Sequence, residues 1–153
     1  MHADLILLHP PSIYKFRELP IFYGPISVAI PSSSIFENYP IGFLTMSEYL
    51  NRQGISVRIV NLAMKMLLNP SFDPENFIAK LRPFAFGIDL HWLPHVDGSL
   101  SLAEVAKRHH PDIPVILGGL SATYYHQEIM RDYPFVDFVM CGDSTEEPLR
   151  LLM

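Results

Sequence analysis

The sequence holds one cysteine, Cys141, in 153 residues. A single thiol excludes a disulfide framework, a structural zinc knuckle and a cysteine-held iron–sulfur cluster built from this chain alone. Charge is scarce as well, with 18% Asp, Glu, Lys and Arg against about 25% in ordinary domains. The balance is acidic, at a net charge of −5, so the phosphate backbone of a nucleic acid is not an expected partner. No apolar run approaches the roughly 18 residues of a membrane span. The N-terminus, Met1-His2-Ala3-Asp4, has no basic region, and Leu5–Leu8 is too short for the apolar core of a signal peptide. Together these absences predict a cytoplasmic protein with no membrane attachment. Neither G-x-G-x-x-G nor G-x-x-x-x-G-K occurs.

What the chain does have is apolar surface, 49% of its residues. That excludes intrinsic disorder and predicts one domain over residues 1–153. Asp4–Leu8 is a continuous apolar run closed by Pro10-Pro11, the pattern of a strand buried on both faces of a parallel sheet. Four more strands are predicted, over Ile55–Val60, Phe84–Ile88, Ile113–Leu117 and Phe135–Met140. Helical spacing falls between and after them. Gly42–Arg52 is followed by Gly54 at the position of a left-handed cap. Pro74–Leu81 is preceded by Asp73 as N-cap. Asp97–His109, Ser121–Asp132 and Thr145–Met153 complete the set.

Strand and helix alternate five times, which predicts an α/β fold. The expected form is a three-layer α/β/α open parallel five-stranded sheet with the flavodoxin-like (Rossmann-like) order 2-1-3-4-5. One connection breaks the rhythm. The excursion over residues 12–39 is rich in proline but also in aromatic and branched apolar residues. A connection this long and apolar should fold down on the domain near the carboxyl end of the first strand, where open α/β sheets bind ligands.

Candidate site residues lie just past the strand ends. Gly118-Gly119 permits close approach of a ligand to the backbone, with Ser121 and Thr123 hydroxyls and free N–H groups at the following helix start. A plain strand-to-helix turn with Ser121 as N-cap explains the same residues. Trp92, the single tryptophan, is a pocket wall or a loop-packing residue. His9, His91 and His95 have no H-x-x-x-H helix behind them, so no metal site is expected. His109 and His110 read as structural residues, solvated at a helix end, and Cys141 as a small core residue or a reactive thiol. Asp143, Glu146 and Glu147 suit a helix start or ligand hydroxyls. A receiver-type phosphorylation site at Asp89 lacks its acidic pair, hydroxyl and lysine partners.

Several stretches taken in order resemble the N-terminal cobalamin-binding domain of cobalamin-dependent radical S-adenosylmethionine (SAM) proteins. They are Pro10-Pro11, Pro40-Ile41-Gly42-Phe43-Leu44, Lys107-Arg108, Pro111 through Gly119, Tyr133 through Val139, and Gly142 with Glu146-Glu147-Pro148-Leu149. The resemblance implies cobalamin at the carboxyl edge of the sheet, its nucleotide tail beside Gly118-Gly119. The residues it implies for cofactor contact are Pro11, Ser12, Tyr14, His91, Trp92, Leu93, Gly118, Gly119, Leu120, Ser121, Thr123, Cys141, Gly142, Asp143 and Thr145. The D-x-H-x-x-G signature is absent, so that motif supplies no histidine to cobalt. Asn61 stands where the family often has an acidic residue, and Gly142-Asp143-Ser144-Thr145 replaces an acidic turn. No C-x-x-x-C-x-x-C is present, so the 4Fe-4S cluster and S-adenosylmethionine are expected in a downstream radical SAM domain of a longer parent, a methyltransferase or similar enzyme. The chain alone is then not expected to be catalytic. The alternatives are a small-molecule or nucleotide-binding enzyme on the same sheet, using Cys141, Asp89 or His91, and a module whose 12–39 segment docks a partner.

Overall fold

A computed structural model describes residues 2–19, 41–143 and 145–153. Residues 20–40 of the long excursion, and Ser144, lie outside the described residues. Five strands form one parallel sheet in the order β2-β1-β3-β4-β5, as expected. They are β1 (His2–His9), β2 (Val57–Asn61), β3 (Arg82–Asp89), β4 (Val115–Gly118) and β5 (Phe138–Met140). Among the described residues seven α-helices connect and flank them: α1 (Ile41–Arg52), α2 (Leu62–Leu68), α3 (Pro74–Ala79), α4 (Val96–His109), α5 (Leu120–Tyr124), α6 (His126–Asp132) and α7 (Glu146–Leu152).

Side-chain alternation along the strands builds two cores. Ile6 and Leu8 of β1, with Phe86 and Ile88 of β3, face a core completed by residues of α2 to α6. Leu5, Leu7, Ala85 and Ile116 face the other side, against Phe43 and Leu50 of α1 and Leu149 of α7. Both faces are covered, which is why these strands read as unbroken apolar runs.

The helix ends follow local chemistry. Asp73 Oδ1 accepts from Asn76 N at 3.0 Å with Pro74 at the first position of α3. Gly54 takes φ +84° past the end of α1. The sequence reading missed α2. Its residues are strong helix formers, and Asn61 at the departure point caps it, Oδ1 accepting from Met64 N at 2.7 Å. The single helix expected over Ser121–Asp132 is two short ones that break at Tyr125. Strand β5 is shorter than expected because Val136 N bonds back to Tyr133 O in a turn, leaving three residues to ladder with β4. Asp137 at that turn pairs with Lys107 at 2.9 Å and accepts Val115 N at 2.7 Å, clamping the start of β4.

Two further expectations are corrected. His110 is buried, not solvated, and its Nε2 bonds Ile78 O at 2.8 Å. Cys141 is exposed, not a core residue. The described start of the long excursion does fold down. Tyr14 and Phe16 are buried, and the Arg17 guanidinium donates to the carbonyls of Met66 and Asn69 at the end of α2 and of Phe72 in the loop that follows.

Close packing between this segment and α4 yields a test. Gly98 N donates to Ser12 O at 3.0 Å, and a Cβ at Gly98 would sit 1.6 Å from Pro11 O. Alanine in a helix interior ordinarily gains about 0.5–1 kcal/mol over glycine. Here the backbone overlap dominates, and Gly98→Ala is expected to destabilise by at least ~2 kcal/mol, measured by urea unfolding.

Candidate functional site

The parallel register ends the strands at one level. His9 of β1 lies beside Asn61 of β2, and Asp89 of β3 beside Gly118 of β4. Beyond that edge the chain opens a cleft of about 550 Å³, within the ~300–1,000 Å³ usual for small-molecule and cofactor sites. It runs down one face of the sheet, over Leu7, Gly87, Ile116 and Met140, with α1 and α7 contributing Phe43, Met46 and Leu149. Its mouth carries His9, the last residue of β1, and the segments that follow β3, β4 and β5. The lower part is apolar, and the mouth adds polar groups, among them His9, Asp89, His95 and Asp143, beside the exposed Trp92 and Leu120.

Glycines shape this space in different ways. A Cβ at Gly87 would lie 2.6 Å from Leu7 Cδ2, so its bareness lets Leu7 lie across the strand. Gly118 faces the cleft with only Met140 Cβ nearby, at 3.8 Å from a Cβ there, and Gly142 meets nothing within 4 Å. Gly119 is different. Its φ is +110°, and a Cβ would come within 2.8 Å of the Leu90–His91 backbone. That glycine is required by the chain itself.

Polar groups gather at the mouth. His9 is 1% exposed, and its Nδ1–H donates to Asp89 Oδ1 at 2.9 Å. Ser99 Oγ donates to the Asp89 carbonyl at 2.7 Å, tying the end of β3 to α4. The His95 ring stands 5.5 Å from that of His9, tilted by 52°. One donor atom from each of His9, Asp89 and His95 lies within 4.8 Å of the others. Sequence reading grouped His9 with His91 and His95 and expected no metal site; the structure gathers His9 and His95 but not His91. The missing ligand type is the carboxylate of Asp89, which the β1–β3 pairing supplies.

Of the residues expected to contact a cofactor, His91, Trp92, Gly118, Gly119, Leu120, Gly142, Asp143 and Thr145 line the cleft. Trp92 and Leu120 are about half exposed, 48% and 51%, at its rim. The structure does not bring the others to its wall. Pro11 and Ser12 are buried in the packing against α4. Tyr14 sits in the core on the opposite side of the sheet. Its hydroxyl has no hydrogen-bond partner among the described residues, and burial, with Glu75 and Asp73 nearby, pushes its pKa well up. Leu93 is half exposed in the turn before α4, and Cys141 Sγ makes a long contact of 3.9 Å with Val139 O. Ser121 is not an N-cap. Its Oγ donates to His91 O at 3.1 Å. The N–H groups expected to be free at this helix start are taken, Ser121 N by His91 O at 3.2 Å and Ala122 N by Leu90 O at 3.1 Å. Thr123 Oγ1 donates to Gly119 O and accepts from Gly142 N, joining the two glycine turns. The cleft residues on α1, and Gly87, Met140 and Leu149, were missed. A glycine inside the apolar run Phe84–Ile88 was the available signal for Gly87.

An open, parallel, flavodoxin-like sheet with an apolar cleft at its carboxyl edge defines a small-molecule or cofactor-binding α/β domain. The B12-binding domain family matches residues 30–152, and the chain belongs to that family. A segment of 49 residues is 29% identical to an anaerobic magnesium-protoporphyrin IX monomethyl ester cyclase of Rubrivivax gelatinosus. The match takes in 32% of this chain and 9% of the cyclase. No solved structure matches the chain significantly.

Helix α7, one wall of the cleft, is tied to α1 by a pH-sensitive contact. Glu147 accepts from Arg150 and from the Tyr49 hydroxyl. The Arg150 bond, then the Tyr49 bond, lowers the Glu147 pKa from 4.5 to about 2. The folded state therefore binds fewer protons than the unfolded one between those values, so the contribution is full above pH 4.5 and lost toward pH 2. Unfolding midpoints measured against pH should show this acid limb in the parent and a shallower one in Glu147→Gln.

Proposed function

We propose that the cleft holds cobalamin, with the nucleotide tail directed down the sheet face toward Leu149 and the corrin resting at the rim. Membership of the B12-binding family supports cobalamin as the ligand. One structural observation carries the placement: the cleft is continuous from the rim at Trp92 and Leu120 to Met140 and Leu149, with the bare glycines Gly118 and Gly142 on its wall. These residues fit the group. The apolar floor can cover an aromatic tail base, and the flat indole of Trp92 can lie against an extended ring. Asp143 and Thr145 offer polar atoms to amide side chains at the mouth.

When bound, cobalamin supplies a cobalt centre able to carry a methyl group or exchange electrons. This chain's residues bind and orient it and exclude water from its lower part. We further propose that the module serves a radical SAM enzyme whose cluster and S-adenosylmethionine belong to another domain. The stretches of this sequence that resemble radical SAM cobalamin domains support this, as does the short similarity to an anaerobic cyclase.

The test is reconstitution with hydroxocobalamin followed by gel filtration. The protein should co-elute with a corrin absorption band that a ligand-free flavodoxin-like control does not retain. Gly118 has no backbone strain and open space, so Gly118→Leu should keep the fold by circular dichroism yet lose binding at least about tenfold, the cleft being filled. Equal colour on the control, or undiminished binding by Gly118→Leu, would overturn the placement.

A further inference from the structure

The His9–Asp89–His95 cluster is independent of the argument for cobalamin. We infer that it is a binding site for a first-row divalent transition-metal ion, at the mouth of the cleft. Two imidazole nitrogens and one carboxylate oxygen suit ions of the zinc, ferrous and cobaltous kind, and disfavour magnesium and calcium, which take oxygen ligands.

Three observations carry the inference. First, the donor atoms lie within 4.8 Å of one another. Atoms sharing an ion at about 2.0–2.2 Å sit roughly 3.3 Å apart. The His9 Nδ1 to Asp89 Oδ1 separation, 2.9 Å, is already close to that spacing. Second, the site is held from beneath. His9 and Asp89 are the buried last residues of two adjacent central strands, and Ser99 Oγ fixes the Asp89 backbone. Third, only one ligand lies outside the strands. His95 is half-buried in a short turn between Trp92 and α4, so a small shift of that turn closes the set without disturbing the sheet.

Charge and protons balance simply. A cation takes the place of the hydrogen between His9 Nδ1 and Asp89 Oδ1; the neutral imidazole changes tautomer, its single proton passing through water from Nδ1 to Nε2, so no proton is gained or lost overall. The Asp89 carboxylate offsets part of the ion's charge in a setting that water reaches poorly. Three protein ligands leave coordination positions open, as in metal sites that act on a bound molecule. All three residues line the cleft, so an oxygen or nitrogen donor of whatever occupies it would complete the coordination.

The experiment uses metal-stripped protein with no corrin present, so its result does not depend on whether cobalamin binds. Titration with cobaltous chloride at neutral pH should give one equivalent bound, with visible d–d absorption that zinc chloride abolishes by displacement. Asp89→Asn and His95→Gln should each weaken binding at least about tenfold. His95→Gln replaces a half-buried turn residue, so circular dichroism and the unfolding midpoint should stay near the parent values. His109→Ala removes an exposed histidine beside Glu75 and should leave the titration unchanged. Absence of stoichiometric binding overturns the assignment. So does binding that persists in both Asp89→Asn and His95→Gln, or that disappears with His109→Ala.

Discussion

The pairing of β1 with β3 in parallel register is the constraint on which the rest of the molecule depends. Leu5 lies against Ala85 and Leu8 against Ile88, so both strands run out at the same level. Their last residues, His9 and Asp89, are thereby brought within hydrogen-bond distance across 80 positions of sequence. Burial makes that contact consequential. An unpaired carboxylate at this depth would cost several kcal/mol, and the imidazole beside it offsets that cost. The same termination level opens the cleft, since the chain must leave the sheet at four neighbouring points and turn away.

The two faces of the sheet are unequal, and the inequality is what leaves room for a ligand. On one face α2 to α6 pack over β1, β3 and β4 with a large continuous core. On the other, α1 and α7 cover the sheet, and the space between them and the strands is the cleft. Gly87 and Gly118 lie on this second face. Their missing side chains thin the layer where a bound molecule needs depth. The contact of Tyr49 with Glu147 holds the two helices together at the surface, away from the mouth.

Much of the architecture was legible. Strand runs at Asp4–Leu8 and Phe84–Ile88, the left-handed glycine after α1 and the Asp73-Pro74 helix start each express a strong local preference. Helix α2 was not legible, because Leu62–Leu68 follows a strand without a break and only the cap at Asn61 marks the change. The motif pieces also divide by role. Lys107 and Asp137, far apart in sequence, prove to be one ion pair that positions β4. Gly119 answers to the His91 backbone, whereas Gly118 borders open space. Tyr14 looks like a ligand residue in the chain order, yet its ring turns into the far core.

The sequence by itself determined the class of fold, its strand order and the general position of the cleft at the carboxyl edge. Those follow from periodicity and from the handedness of parallel connections, which are local or nearly so. Only the tertiary structure decided which side chains share the cleft. It joined His9, Asp89 and His95, and it separated Ser121, Tyr14 and Cys141 from the wall. The physical reason is that neighbourhood across a sheet is set by register and by which face a residue takes, and a shift of one position would reverse every assignment.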